Sequence, residues 1–314
     1  MSANCTATNS HAGVSRREFL RWGAAGAAGL EFSLRGQPAQ AASARARCDS
    51  VILLWMQGGV SHLDTFDPKP DAPADIRGPF KAISTNVPGI QLCEHLPRMA
   101  RMADKIAFIR SMRHAEGGHE RGRSLMLDGW QRLRGACLSS NGVSDHGSSA
   151  AFNVDAEPEK LREAYGDAAL GRKCLAARRL VEAGARFVAV EEDGWDHHFR
   201  VFDALKNRLP ALDRAVSALL SDLAGRGLLD RTLVVFATEF GRSPRINNEA
   251  GREHHQGAFS CFLAGGGIRG GQIVGASDAR GESPASQPVT PDDLFGIIAA
   301  QLGHTSQPPG AMPA

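Results

Sequence analysis

The sequence predicts an α/β fold, a mostly parallel sheet with helices on both faces. Two observations predict it: short, nearly continuous apolar runs of strand length, and longer stretches of helical periodicity between some of them. The runs span 51–56, 106–109, 186–190, 232–237 and 258–263. A strand that is apolar at every position is buried on both sides, which is the habit of parallel sheets.

Taken in order, 51–56 is the first strand, and 94–104 reads as a short helix before the second strand. Residues 131–158 are rich in Gly, Ser and Asn without periodicity, which predicts a surface loop. Residues 159–183 read as one helix, with Gly184 as its C-cap. After the third strand, Phe202, Leu205, Leu209, Leu212, Val216, Leu219 and Leu223 recur by threes and fours, one face of a helix. Pro210 is expected to kink or split it. Gly265-Gly266-Gly267 after the last run reads as a tight strand-to-strand turn, and the Pro/Gly-rich residues 304–314 read as a frayed tail.

Composition excludes whole classes. With 42% hydrophobic and 22% charged residues in 314, the chain is neither disordered nor fibrous. No apolar run approaches the ~18 residues of a membrane span. Residues 15–21 are charged, 22–34 are softly apolar, and 37–44 are mostly small, the order of a signal peptide over 1–44. Arg16-Arg17 followed by Phe19-Leu20 resembles the twin-arginine export signal. That resemblance implies passage of a folded chain through the twin-arginine translocase to a periplasmic or secreted location, and leaves 45–303 as the folded domain. Without 1–44, basic and acidic residues are equal in number, so nothing favours nucleic acid or an anionic membrane. The cysteines form no C-x-x-C pair; one disulfide fits an oxidising compartment, its partners left open.

Ligands of parallel sheets bind at the carboxyl ends of the strands. Four such ends carry histidines beside carboxylates: His62 with Asp64 and Asp67, His114 and His119 with Glu116, His197 and His198 with Asp196, and His254 and His255 with Glu239 and Glu253. Imidazole and carboxylate without thiolate suit zinc, manganese or iron. A single His–Asp pair reads as solvated loop; four in register with four strands read as a metal site. No P-loop, H-E-x-x-H, EF-hand or G-x-S-x-G motif occurs, and the glycine-rich 265–270 opens no helix, which argues against a dinucleotide site.

Longer motifs carry a resemblance. Gln57-Gly58-Gly59-x-Ser61-His62-x-Asp64-Thr65-Phe66-Asp67-Pro68-Lys69-Pro70, Ile109-Arg110-Ser111-Met112, Gly194-Trp195-Asp196-x-His198, Glu239-Phe240-Gly241-Arg242-Ser243-Pro244 and the glycine-rich 264–271 closely resemble the secreted bacterial family called domain of unknown function 1501. That family is grouped with the alkaline phosphatase/sulfatase-like superfamily, so the resemblance implies an alkaline-phosphatase-like α/β metallohydrolase.

The resemblance implies that Asp196, His198 and His254 hold one divalent metal, zinc first, with manganese, iron or calcium as the others. Asp64 and Glu239 would hold a second, with His62 in place of a missing ligand. Ser111 is the candidate nucleophile, and His114 or His119 a ligand or acid. Arg242 is a candidate clamp for an anionic group. The implied substrate is a small anionic ester, phosphate or related, or a cell-envelope component. The sulfatase Cys-x-Pro/Ala-x-Arg signature is missing, so a formylglycine route is not expected. The segment 131–158 is shorter than the resemblance leads one to expect, which keeps open a non-catalytic exported binding protein with at most one metal.

Overall fold

The computed structural model describes residues 46–139 and 149–303. The signal segment 1–44 and the tail 304–314 lie outside the described residues. Six strands build the central sheet: β1 (Ser50–Met56), β2 (Ile106–Met112), β3 (Phe187–Glu192), β4 (Thr232–Ala237), β5 (Phe259–Ala264) and β6 (Gln272–Val274). Their order is β6-β2-β5-β4-β1-β3. β3 and β4 flank β1 in parallel register, with Val51 opposite both Phe187 and Leu233. β5 runs antiparallel to β2 and β4, so the α/β sheet is mixed and mostly parallel. An apolar run carries no direction, and the sequence reading could not separate β5 from its neighbours.

Alternate residues of each strand serve two cores. Ile52, Leu54 and Met56 face one core, and Val51, Leu53 and Trp55 the other. Helix α1 (His119–Ser139) supplies Met126 and Trp130 to the second core. Helices α2 (Ala169–Glu182) and α3 (Val201–Gly225) cover the first, and α4 (Pro291–Gln301) packs beside α1 on the second. Helices therefore lie on both faces. Among the described residues no helix is long and apolar enough to cross a membrane.

Three local expectations are corrected. Pro210 lies inside a continuous α3, so the helix is not split there. Its helix penalty is ~3 kcal/mol, while each fully buried leucine contributes about 2 kcal/mol, and Leu205, Leu209, Leu212, Leu219, Leu220 and Leu223 are all buried. The stretch 159–183 is two helices, Glu159–Tyr165 and α2, because Gly166 turns left-handed at φ 83°. The loop expected from residue 131 begins later: α1 continues to Ser139 through good helix formers such as Gln131, Arg132, Leu133 and Ala136. The short helix near 94–104 is Pro97–Ala100, followed by a single 3-10 turn at Ala103–Lys105. Gly265, Gly266 and Gly267 all have positive φ and turn the chain out of β5.

Cys93, Cys174 and Cys261 are free and buried, and Cys48 is buried as well. Burial pushes the thiols of Cys93, Cys174 and Cys261 up to about 12, which keeps them protonated and unreactive.

Candidate metal centre

β1, β2, β3 and β4 point the same way, so the loops that follow them emerge at one edge of the sheet. Gly58, just past β1, has φ 122° and presses on the next loop; a Cβ there would clash with the backbone of Trp195 and Asp196. The Trp195 N–H donates to the Gln57 carbonyl at 3.1 Å, stitching the two loops together. A two-residue ribbon, Gly241–Arg242 against His254–His255, brings His254 in from a fourth segment. His119 opens α1.

At this edge His119, Asp196 and His254 offer ligand atoms within 4.8 Å of one another. The Asp196 carboxylate is their centre. Its Oδ2 lies 3.3 Å from His119 Nε2, and its Oδ1 lies 2.9 Å from His198 Nε2 and 3.2 Å from His254 Nε2. The far nitrogen of every imidazole meets an oxygen that has no hydrogen to give. His119 Nδ1 is 2.9 Å from Glu239 Oε1, His198 Nδ1 is 2.6 Å from Glu253 Oε2, and His254 Nδ1 is 2.8 Å from the Gly117 carbonyl. Both nitrogens of each ring thus face oxygens, Nδ1 an outer support and Nε2 the Asp196 carboxylate; with the proton on Nδ1, each Nε2 would present a lone pair toward Asp196. Lone pairs gathered on a carboxylate repel unless a cation lies among them. Outer oxygens fixing the tautomer of inner imidazoles are how proteins build metal sites, so these residues fit a divalent ion.

Arg242 anchors the arrangement from below. It is fully buried, donates through Nη2 to Asp196 Oδ1 at 2.5 Å and to the Gly58 carbonyl, and through Nε to the Gly59 carbonyl at 3.0 Å. Its Nη1 reaches the Arg252 carbonyl at 3.2 Å and lies 3.4 Å from His198 Nε2. With its donors committed to the protein, Arg242 positions Asp196 instead of clamping a substrate. Partial burial works to raise the Asp196 pKa, but the Arg242 hydrogen bond and charge, with the imidazoles, bring it down to about 2. Asp196 is thus a carboxylate at any working pH.

The other proposed site residues do not join this cluster. Asp64, expected as a ligand, has no exposure and is gripped by the equally buried Arg252, with Nε to Oδ2 at 2.7 Å and Nη2 to Oδ1 at 3.1 Å. Ser61 Oγ donates to the same carboxylate at 2.5 Å. This carboxylate is thus paired, without exposure, with the protein's own cation. His62 is buried with its Nε2 on the Gly281 carbonyl at 2.9 Å, and burial foremost lowers its pKa to about 4. Ser111, the candidate nucleophile, donates its hydroxyl to the Gln287 carbonyl at 2.6 Å. His114 Nε2 meets the Glu239 main-chain oxygen at 2.6 Å while its Nδ1 accepts from Glu116 N–H, so the ring is spent on holding its loop; burial lowers its pKa. Glu239 touches the cluster only through His119. Its carboxylate is buried and also accepts the Gly58 N–H at 2.8 Å, the position of an outer support.

Sequence reasoning placed Glu253 beside His254 without giving it a role, and assigned nothing to the Gly117 carbonyl or Arg252. Glu253 had one signal, its place beside His254. A carbonyl carries none, and an arginine gives no sign in sequence that it will be buried.

Residues 48–149 and 138–308 match the family described as "Protein of unknown function (DUF1501)". No curated protein matches the chain. Among solved structures it is similar to "Crystal structure of Ps i-CgsB", at 11% identity and a TM-score of 0.43, covering 82% of this chain and 72% of that one. It is also similar to "Crystal structure of Ps i-CgsB in complex with k-i-k-neocarrahexaose", at 13% identity and a TM-score of 0.33 with the same coverage.

Proposed function

The chain belongs to the DUF1501 family, whose function is unknown, and from that starting point we propose that it is an exported metal-dependent hydrolase of phosphate or related esters. One observation supports this reading above all: three imidazoles, each held at Nδ1 by an outer oxygen, turn their Nε2 atoms onto the single Asp196 carboxylate at a solvent-accessible sheet edge. Such a set suits a hard or borderline divalent ion, zinc first, with manganese, iron or calcium as the others.

His119, Asp196 and His254 would hold the ion, with His198 beside them. Bound there, it would supply Lewis acidity toward an ester oxygen and lower the pKa of a water. The protein's own part is positional. Glu239 and Glu253 keep His119 and His198 in one tautomer, and Arg242 keeps Asp196 ionised and oriented. The Ser111 hydroxyl is engaged elsewhere, which makes water the attacking group in this reading.

The rest of the proposal concerns the chain as a whole. Residues 1–44 act as a twin-arginine signal recognised by the translocase, 45–303 form the alkaline-phosphatase-like domain, and 304–314 are a tail. The protein then works in the periplasm or outside the cell on a small anionic ester or an envelope component, and not on nucleic acid. Purified after export, it should contain a divalent metal by elemental analysis and hydrolyse p-nitrophenyl phosphate or its diester. Asp196→Ala should abolish both. Turnover without metal, or metal content unchanged in Asp196→Ala, would refute the reading.

A second reading is a non-catalytic exported binding protein with at most one metal. The capture of Asp64 by Arg252 favours it, because it leaves one ligand cluster among the described residues. One equivalent of metal with no turnover of either ester would decide for it.

A further inference from the structure

We propose that Phe199 is the substrate-recognising platform of this centre, an exposed ring that binds the flat apolar ring of an ester whose anionic group sits at His119, Asp196 and His254. The inference rests on the hydrolase reading and names its substrate class: anionic esters that carry a ring.

Phe199 directly follows His198, with 6.5 Å between ring centroids, and His198 in turn lies 4.8 Å from the His254 ring. It is 67% exposed. A lone exposed phenylalanine means little by itself. What sets this one apart is the backbone that carries it. Arg200 at φ 45° and Ala250 at φ 53° are both left-handed, and they lie against each other. The Arg200 N–H donates to the Glu249 carbonyl at 3.0 Å, and the Val201 N–H to the Ala250 carbonyl at 2.9 Å. Asn247 Nδ2 donates to the His198 carbonyl at 2.9 Å, and Gly251 packs so closely on that carbonyl that any side chain would collide.

Left-handed non-glycine residues cost of order 1–3 kcal/mol each and persist only where the surroundings over-determine them. Here two of them fix the residues that follow His198, which stands beside the proposed ligands. The same loop buries its other aromatic: Trp195 is 2% exposed, with the Arg208 guanidinium over its ring. The loop thus sends one aromatic into the core and holds the other in solvent. A ring on a fixed backbone loses little entropy when it binds, so its apolar face is available at low cost. The cluster beside it is open as well, with the Asp196 and His119 side chains 43% and 40% exposed.

The test uses two non-hydrolysable anions, phenylphosphonate and methylphosphonate, titrated calorimetrically into the metal-loaded full chain. Wild type should bind the phenyl compound roughly fivefold more tightly, the order of one aromatic contact. Phe199→Ala should bring the two to parity while leaving methylphosphonate affinity and metal content unchanged, and Phe199→Trp should restore the preference. Equal affinities in wild type, a preference that survives in Phe199→Ala, or no binding of either phosphonate would overturn the proposal. Turnover of phenyl phosphate without a phenyl preference would remove the platform and leave the hydrolase. A phenyl preference without turnover would do the reverse.

Discussion

His198 and His254 face each other through Nε2 atoms 3.0 Å apart, and with their protons on Nδ1 neither nitrogen would have a hydrogen to offer the other. Their Nδ1 protons are committed to Glu253 and Gly117, and Asp196 Oδ1 lies within 3.2 Å of both. A cation shared with Asp196 would resolve the repulsion. Elemental analysis should find about one equivalent of divalent metal, and His254→Ala should lose it. His254→Ala retaining full metal would show that the pair is bridged by a proton instead.

Glu239→Gln should weaken metal binding without removing it. Glu239 Oε1 accepts from both His119 Nδ1 and the Gly58 N–H, and an uncharged amide oxygen holds both less firmly. Losing a support of this kind costs roughly 10–100-fold in metal affinity. Chelator competition measures it. A complete loss of metal would make Glu239 a direct ligand, and no change would deny it any role.

Much of the site was legible because chemistry follows topology. Asp196 and His198 stand just after an apolar run, so a parallel sheet carries them to its carboxyl edge; His254 precedes β5 and reaches that edge because β5 runs antiparallel. Glu239 was found in the same way, but its distance from Asp196, and with it its role, depends on where α1 places His119. The surroundings of Asp64 could not be read. Its partner Arg252 is 188 residues away, two positions before His254, and sequence does not show which carboxylates a buried guanidinium will claim. The direction of β5 and the continuity of α3 through Pro210 were hidden for a related reason, since both are decided by tertiary packing.

Asp64→Asn should destabilise the fold and leave the metal alone. Arg252 spends its other donors on the carbonyls of Ile76, Ser243 and Pro244, so the variant strands a buried guanidinium charge. Breaking one side of such a pair costs about 3–5 kcal/mol. Urea unfolding should show that loss with unchanged metal content. Metal lost from an otherwise stable variant would restore Asp64 as a ligand.

Stability should fall on mild acidification. Burial, followed by the neighbouring charges of His255 and Arg252, outweighs Asp67 and holds His62 near 4, against 6.5 in the unfolded chain. Between those values the unfolded chain binds a proton that the folded chain refuses, so lowering the pH favours unfolding. The window closes near pH 4, after a loss of about 3 kcal/mol. His197, lowered to about 4 chiefly by burial, contributes with the same sign. Urea midpoints from pH 7 to 4 should trace this fall, and His62→Gln should remove its share. An unaltered slope in that variant would assign the acid sensitivity elsewhere.

Gly58→Ala and Gly89→Ala separate backbone strain from crowding at the centre. Both glycines have positive φ, 122° and 83°, so both substitutions force a side chain into a left-handed region. At Gly89 nothing lies near the added carbon, and the cost is the conformational penalty alone, about 1 kcal/mol. At Gly58 the new Cβ runs into the backbone of Trp195 and Asp196. The loop that carries Asp196 must then move, and the Glu239 bond to the Gly58 N–H moves with it. Gly58→Ala should therefore cost on the order of 3 kcal/mol and lose metal, while Gly89→Ala keeps its metal. Equal thermal shifts with metal retained in both would mean that the contact between the β1 and β3 loops does not hold the centre together.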